Sequence, residues 1–351
     1  LSNKMPFASA EGILESYGLP ARGEMDPTTP MSLFYVFFFG LMLSDAAYGL
    51  IIFLACFILL RKFPKMGDGM KKSLTLFEYC GISTLIWGIL FGGYFGDVVA
   101  VVSRTFFHHE ITIAPVWFAP LDNPMKMLIF SLLFGLIHLF GGLALKGYMC
   151  LKKKDFVGFF SDVISWYLLI IGLVLMLMPT SLFASIAQVS FHFSDGLKIF
   201  SYVITILGAA IIVVMSGRSH KNPVLRLALG LYDIYNITGW LSDLLSYSRL
   251  LALGLATGVI AQVINQMGSM VGDGILGAIV FILVFIIGHT FNLAINMLGA
   301  YVHTCRLQYV EFFGKFYEGG GEAFHPFKEN TKYVDIGNAG MKTCKPEIKE
   351  E

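Results

Sequence analysis

Residues 244–256 read LLSYSRLLALGLA, an apolar stretch that carries a single charge, Arg249. With its neighbours this stretch is long enough to enter a bilayer. A guanidinium in hydrocarbon costs roughly 2.5–3.5 kcal/mol on insertion scales. Arginine cannot avoid that cost by losing its proton, because its pKa stays above about 12. We therefore interpret Arg249 as a charge that works inside a membrane, suited to electrostatic action on an anionic partner.

The composition is that of a polytopic membrane protein. Of the 351 residues, 56% are hydrophobic and 14% are charged, and the mean hydropathy is +0.71. Soluble domains carry about 25% charged residues, so we predict an all-α fold of membrane-spanning helices. The net charge of +1 gives no indication of nucleic-acid binding. The five cysteines are scattered without a C-x-x-C pair, which indicates packing residues and predicts neither a metal site nor a cofactor.

Apolar runs divide the chain into segments. They cover residues 31–60, 74–102, 125–149, 157–178, 197–215, 237–268 and 274–312. Each of the last six can cross ~30 Å of hydrocarbon at ~1.5 Å per residue. The final two exceed the bilayer thickness, and long hydrophobic helices tilt. We expect two long, tilted, adjacent helices at the end of the membrane region.

The first run, residues 31–60, allows two interpretations. A single crossing would place the N-terminal segment outside the cell. Two full spans would need ~20 residues each, more than this run contains. A break at Ser44–Gly49 would give two short half-helices, which are tolerable where protein shields them. We adopt the broken pair, which predicts about eight transmembrane helices with both termini cytoplasmic.

The charge of the loops supports that orientation. Lysine and arginine are concentrated in residues 61–73, 146–154 and 216–226 and are scarce in the intervening loops. The positive-inside rule places the rich loops in the cytoplasm.

Three regions follow from these patterns. Residues 1–30 are polar and lack the pattern of a signal peptide, so we expect a linker from a cytoplasmic domain further upstream. Residues 31–313 would form a transmembrane ion-translocation domain, and residues 314–351 a cytoplasmic C-terminal tail.

The helix around Arg249 combines the cation with small residues. At 100° per residue, the neighbours on its face are Thr238, Ser242, Ser246, Ala252 and Ala256. Small residues let another helix approach closely. Arg249 could form a fixed ion pair within this chain, or it could meet a carboxylate on a separate, moving helix. The small-residue face favours the moving partner.

A second polar stripe follows the last helix. The residues near Arg306 on the helical wheel are Gly288, Asn292, Gly299 and His303, with His289 and Asn296 at the edge. Ionisable residues at membrane depth that face a cavity mark ion pathways. Glu311, about one turn later, could pair with Arg306 or relay an ion. The alternatives are interior histidines with satisfied hydrogen bonds and an Arg306 that snorkels to the interface.

Three further residues are candidates for an ion path. Gln262, on the outer half of the Arg249 helix, could line an aqueous passage or pack. Asp45 and Asp97 are carboxylates near membrane depth, but both adjoin glycines, so a role in a turn or helix cap is the alternative. No G-x-x-x-x-G-K-[ST] motif is present, so the chain carries no nucleotide site of that kind.

Four motifs resemble the membrane domain of subunit a, called subunit I in bacteria and archaea, of rotary V/A-type ATPases. They are FFGLMLSDAAYG at 38–49, GYFGD at 93–97, SYSRLLAL at 246–253 and HTCRLQYVEFFGKFYEGGG at 303–321. The resemblance extends over about residues 15–328. The Tyr-Ser pair before Arg249 and the triple glycine are similar to the bacterial branch of the family.

The resemblance implies a function and a set of partners. The chain would be a stator subunit with two ion half-channels. Arg249 would be the arginine that displaces H⁺ or Na⁺ from carboxylates of a rotating proteolipid ring (c/K), and Arg306 the second arginine of the family. The subunit would be non-catalytic within an ATP-driven rotary pump of a bacterial or archaeal plasma membrane. Further implied partners are peripheral-stalk E/G subunits, reached through the upstream cytoplasmic half, a central-stalk cap subunit (d/C) and the bilayer.

Two positions depart from the eukaryotic pattern of that family. Eukaryotic members tend to carry Glu where this chain has Asn296 and His where it has Thr257, so their proton-path assignments do not transfer there. A secondary ion-coupled transporter is the alternative function. It should show internal repeats, and none is visible.

Overall fold

The computed structural model describes residues 3–21, 24–218, 222–272 and 274–322, and within these ranges it contains helices and no β-strand. The expected all-α fold is confirmed. The α-helices are α1 (Glu11–Tyr17), α2 (Thr28–Leu43), α3 (Ala46–Lys62), α4 (Asp68–Phe91), α5 (Val98–Phe107), α6 (Pro124–Lys152), α7 (Phe156–Gly158), α8 (Ser165–Leu177), α9 (Ser181–Ala187), α10 (Asp195–Ser216), α11 (Pro223–Tyr235), α12 (Ile237–Ser246), α13 (Ser248–Ser269) and α14 (Ile275–Arg306). Non-α segments extend this set: a 3₁₀ turn at Phe7–Ala10, π-helical segments at Phe159–Ile164 and Leu307–Phe312, and a 3₁₀ turn at Phe313–Lys315.

Six helical runs in the described residues are long and apolar enough to cross a membrane. They are Asp68–Phe91, Pro124–Lys152, Phe156–Leu177, Asp195–Ser216, Val224–Ser269 and Ile275–Lys315. The 16-residue α2 and the 17-residue α3 are the two short segments expected within residues 31–60. α5 is a further short apolar helix, so the number of membrane crossings, expected to be about eight, stays a prediction.

The break between α2 and α3 falls inside the stretch where the sequence predicts it. α2 ends at Leu43, Ser44 adopts a left-handed conformation, and α3 begins at Ala46. Asp45 caps α3, because its carboxylate accepts hydrogen bonds from the backbone amides of Ala47 at 3.0 Å and Tyr48 at 3.2 Å.

The chain reverses direction at this break. Both short helices pack against α4, where small residues allow the backbones to touch. The close approaches are Gly40 to Ser83 for α2, and Ala46 to Gly88 and Phe53 to Gly81 for α3. α2 therefore runs with α4 and α3 runs against it, so the start of α2 and the end of α3 lie at the same end of α4.

The expected run over 74–102 is interrupted. α4 ends at Phe91, and a turn with positive φ at Gly92 (+74°) and Gly96 (+68°) precedes α5. Glycine adopts such angles without steric cost, so the turn divides the run into a spanning helix and a short apolar helix.

The last two helices are long, as predicted, but neither is a plain α-helix. The penultimate run turns at Asn236 and again at Tyr247, which separates α12 from α13. The last run continues from α14 through the π-helical segment to Lys315, 41 residues in all, or about 60 Å. That length is about twice the hydrocarbon thickness. The tilt of both helices stays a prediction.

An aromatic core joins the early helices to the end of the last one. Its largest fully buried side chains include Phe38 and Phe39 of α2, Tyr48 of α3, Tyr247, and Phe312. Such rings bury large apolar areas, so the core holds α2 against α6 and the π-helical segment.

The N-terminal segment packs against the end of the last helix. Tyr309 donates its hydroxyl hydrogen bond to the Ile13 carbonyl at 2.7 Å, and Tyr317 donates to Gly18 at 2.8 Å. A backbone bridge pairs Leu19 with Gly321. Residues expected to be a linker therefore include an ordered part, which we call the terminal clamp (residues 13–19 with 309–321).

An ion pair ties the same segment to α4. Glu11 is buried and its carboxylate accepts a hydrogen bond from Lys72 at 2.6 Å. Burial alone would raise the pKa of Glu11, but the bonds from Lys72 and Asn3 outweigh it and hold that pKa below its ordinary value.

Candidate functional site

Arg249 lies in the first turn of α13, directly after the turn at Tyr247. Its Nη2 donates a hydrogen bond to the Ser246 hydroxyl at 3.2 Å. Among the described residues, its guanidinium has no carboxylate within 4.0 Å. Its Nη1 is buried and has no hydrogen-bond partner there. Within the described residues, Arg249 therefore forms no fixed ion pair.

Glu311 approaches Arg249 through a shared neighbour. Ser246 donates its hydroxyl hydrogen bond to Oε1 of Glu311 while it accepts the bond from Arg249. Glu311 belongs to the π-helical segment and is 2% exposed, whereas Arg306 is exposed. No ion pair joins Glu311 to Arg306 among the described contacts, so the carboxylate faces Ser246 instead.

Unsatisfied buried polar atoms concentrate at this place. In the part of the chain that the structure describes, four buried side-chain nitrogen or oxygen atoms lack a hydrogen-bond partner. They are Nη1 of Arg249, Nδ1 of His303, Nε2 of Gln308 and Oε2 of Glu311. We call these residues and Ser246 the Arg249 cluster. Buried polar groups are normally paired, and each orphan costs free energy, so the Arg249 cluster is the candidate functional site.

A second polar network lies between α13, α14 and the early helices. It is a chain of hydrogen bonds that we call the polar chain: Asp97, Asn265, His289, Tyr48, Asn292 and Asn296. Asn265 donates to Asp97 at 3.0 Å, and its carbonyl contacts Nε2 of His289 at 3.0 Å. Nδ1 of His289 lies 2.6 Å from the Tyr48 hydroxyl. An amide nitrogen only donates and an amide oxygen only accepts, so His289 carries its proton on Nε2.

The direction of the bonds in the polar chain is thereby fixed. Asn292 donates to the Tyr48 oxygen at 2.8 Å, and Tyr48 then donates to His289. Every donor points toward Asp97, and the amide of Asn296 contacts Asn292 at the other end. Amides cannot exchange donor and acceptor roles as hydroxyls do, so this network holds helices in place.

Asp97 also faces a cavity of about 360 Å³. Other polar side chains on its wall include Asp45, Asp122 and Gln262. Asp45 is saturated by backbone donors, since beyond its capping bonds it accepts from the amides of Phe95 at 3.1 Å and Gly96 at 2.9 Å. The cap interpretation of Asp45 is therefore supported, while Asp97 and Gln262 border the open space.

The sequence matches a known family at this site. Residues 234–329 match the V-type ATPase 116kDa subunit family. An A-type ATP synthase subunit I of Methanocaldococcus jannaschii is 35% identical over 95% of this chain and 49% of its own length. That of Thermococcus kodakarensis is 36% identical over 91% of this chain and 46% of its own.

The chain is homologous to subunit I of A-type and V-type ATP synthases. It spans about half the length of the curated subunit I relatives that it matches. A V-type ATP synthase subunit I of Chlamydia trachomatis is also similar, at 25% identity over 94% of this chain and 56% of its own length. The two archaeal subunits therefore have a higher sequence identity to this chain than the Chlamydia trachomatis subunit has.

In this subunit I homologue, the site residues predicted from the sequence fall into two separate groups in the structure. Arg249, Ser246, Glu311 and His303 come together in the Arg249 cluster. Asn292 and Asn296 are buried in the polar chain instead of lining a path beside Arg306. Ser242, one turn before Ser246 on α12, is exposed.

Sequence reasoning assigned no role to several residues that the structure connects to the site. They are Tyr48, His138, Tyr247, Asn265 and Gln308. Each is a polar side chain within an apolar run, which is costly unless it is paired. A search of the apolar runs for isolated polar side chains could therefore have identified these residues.

Proposed function

We propose that this chain is the static membrane subunit of a rotary ATP synthase or ATPase, in which Arg249 meets carboxylates on a rotating ring of proteolipid subunits. The observation that carries the proposal is the unpaired Nη1 of Arg249 in the described residues, on a guanidinium that only the Ser246 hydroxyl links to Glu311, whose Oε2 is also unpaired. A permanent partner within the described residues would have satisfied this guanidinium. A carboxylate on another subunit would supply the missing partner, and on a rotating ring that carboxylate would be replaced by the next one at each step.

The electrostatics suit the displacement of an ion. A positive charge within ~4–6 Å lowers the pKa of a carboxylate by 1–3 units. A ring carboxylate that arrives with H⁺ or Na⁺ would therefore release the ion when it faces Arg249. The same charge would repel a cation that tried to cross directly from one side of the membrane to the other.

Two separate approaches to Arg249 would serve as half-channels. One passes the Arg249 cluster, where Glu311 and His303 offer groups that hold or transfer an ion, with the exposed Arg306 nearby. The other opens through the cavity beside Asp97 and Gln262. The negative charge of Asp97 would concentrate cations there. The polar chain runs from Asp97 at the cavity to Asn292 and Asn296 of the last helix, and its directional bonds would hold these helices in register beside the two approaches.

The partners follow from this role. They are the c/K ring, the peripheral-stalk E/G subunits held through an upstream cytoplasmic half, the central-stalk cap subunit (d/C) and the lipid of a bacterial or archaeal plasma membrane. Both ends of the described chain would lie in the cytoplasm, beside the loops rich in lysine and arginine. ATP chemistry would belong to other subunits.

ATP-driven ion uptake into vesicles that hold the whole complex tests the proposal. Arg249→Ala should abolish uptake of H⁺ or Na⁺ while the complex still assembles. The matched control is Arg104→Ala, which removes an exposed arginine of α5 and should leave uptake intact. Uptake that survives Arg249→Ala in an assembled complex would refute the proposed role, and a dependence on sodium would identify the ion.

A further inference from the structure

We propose that His138 is a positioning residue that fixes the geometry of the Arg249 cluster. It lies on α6, and it contacts both elements that carry the cluster. The inference rests on the proposed function, because it assigns His138 a task in orienting Arg249 and Glu311.

The first contact is with the turn that precedes Arg249. Tyr247 separates α12 from α13 and is fully buried. Its hydroxyl lies 2.7 Å from Nδ1 of His138. Its ring lies against Gly135, one turn earlier on α6, where an added Cβ would come within 2.4 Å of the ring. The turn is thus pressed onto α6 and held there by a hydrogen bond.

The second contact is with the π-helical segment that carries Glu311. Nε2 of His138 lies 3.2 Å from the side-chain oxygen of Gln308, and the imidazole stacks on Phe312 at 4.5 Å with an interplanar angle of 11°. Because that oxygen only accepts, His138 donates from Nε2 and accepts the Tyr247 hydroxyl at Nδ1. This pair of bonds uses both nitrogens of a neutral imidazole.

The two residues that hydrogen-bond to His138 are close in sequence to Ser246 and Glu311, two residues of the Arg249 cluster. Ser246 is the immediate neighbour of Tyr247, and Glu311 lies three residues after Gln308 on the same wide turn. The bond from Ser246 to Glu311 joins these two elements at the guanidinium of Arg249. We call His138, Tyr247 and Gln308 the His138 clamp. If the clamp opens, Ser246 and Glu311 are free to separate, and Arg249 loses its orienting contact.

This arrangement explains why a histidine is buried without a carboxylate. His138 is 0% exposed and is enclosed by Phe34, Phe38 and Phe312. A buried polar ring costs free energy unless both nitrogens are paired. Here they pair with two elements distant in sequence, which sets the separation between the penultimate and last helices at the level of Arg249.

Tyr247→Phe tests the clamp with minimal disturbance, since it removes one hydroxyl and keeps the ring. We expect the number of ions transported per ATP hydrolysed by the intact complex in vesicles to fall roughly threefold to tenfold, the factor expected from one buried hydrogen bond. The matched control is Tyr167→Phe. That tyrosine also donates a hydroxyl bond to α6, at the Phe140 carbonyl, but it lies outside the cluster and should leave the ratio unchanged.

A double-mutant cycle distinguishes positioning from mere packing. If Tyr247 acts through Glu311, the transport ratio of Tyr247→Phe/Glu311→Gln should equal that of Glu311→Gln alone. If Tyr247 only stabilises the fold, the two losses should multiply. Multiplying losses, or an unchanged ratio in Tyr247→Phe, would overturn the inference.

One further variant, together with Arg249→Ala, makes every outcome interpretable. Should Tyr247→Phe fail to assemble, Gln308→Met removes the other arm of the clamp at similar side-chain length and should lower the ratio likewise. Assembly losses in both variants with a normal ratio per assembled complex would make the clamp structural. Loss of transport in Arg249→Ala with normal coupling in Tyr247→Phe would refute only this inference, whereas transport that survives Arg249→Ala would refute the proposed function as well.

Discussion

The reversal between α2 and α3 should depend on Gly88 of α4. A Cβ added at Gly88 would lie 1.9 Å from the backbone nitrogen of Ala46 and 2.5 Å from the carbonyl carbon of Asp45. Ordinary contacts of a Cβ begin at 3.4 Å, so Gly88→Ala would push the start of α3 away by about 1.5 Å, the difference between the two values. Both atoms belong to the backbone, which cannot yield by rotating a side chain.

The cost has two parts. Overpacking of a close contact costs about 1–3 kcal/mol. The displacement would also strain the bonds that Asp45 makes to the turn at Phe95 and Gly96, each worth about 0.5–1.5 kcal/mol. We expect a loss of about 2–6 kcal/mol, which for a chain of 351 residues corresponds to a fall in the melting temperature of roughly 3–8 °C.

Thermal unfolding of the purified protein in detergent, followed by the loss of the monodisperse species, measures this effect. Gly69→Ala is the matched control on the same helix, because a Cβ at Gly69 meets nothing within 4 Å. Alanine favours helix over glycine by about 0.8–1 kcal/mol in a helix interior, so the control should melt at the same temperature or slightly higher. A Gly88→Ala protein that melts with the Gly69→Ala protein would refute the packing argument.

Two further predictions concern the N-terminal segment. Gly321→Ala should open the terminal clamp, because the added Cβ would lie 2.1 Å from the Pro20 carbonyl oxygen. Limited proteolysis should then cut the N-terminal segment faster. The control is Gly314→Ala, which should leave the cleavage rate unchanged because a Cβ at Gly314 meets open space. Glu11 has a lowered pKa in the folded protein, so its pair with Lys72 stabilises the fold above the unfolded value of about 4.3 and ceases to do so as the pH falls through the folded value. The melting temperature of Glu11→Gln should accordingly change less between pH 7 and pH 3 than that of the wild type.

Local signals were sufficient to predict the break between α2 and α3, although they did not predict the interruption of the 74–102 run at Gly92 or the turn at Tyr247. The stretch Ser44–Gly49 combines a polar pair with small residues inside an apolar run, and the chain does reverse there. The π-helical segment carries no such signal, because a wide turn depends on how its side chains pack against other helices. The burial of Glu311 beside Ser246, with Arg306 left exposed, follows from that wide turn.

The orientation of the last helix was likewise not readable from its own sequence. A helical wheel places Asn292 and Asn296 near Arg306, yet it cannot say which side meets protein. The Tyr48 hydroxyl, 244 residues away in sequence from Asn292, decides this by accepting its hydrogen bond. A polar contact between distant elements is fixed by tertiary packing, so one helix considered alone does not reveal it.

The terminal clamp has a consequence for the order of folding. Tyr309 and Ile13 are separated by 296 residues, so the partner of the N-terminal segment is synthesised only after all the intervening helices. Contacts at such separation form late. Until then, the ring of Tyr17, which packs on Tyr309, Phe313 and Tyr317, has no final partner, and α1 is held by its contacts with α4. A chain truncated before α14 should therefore leave the Tyr17 end of this helix exposed to proteases or to a chaperone, even with every earlier membrane segment inserted.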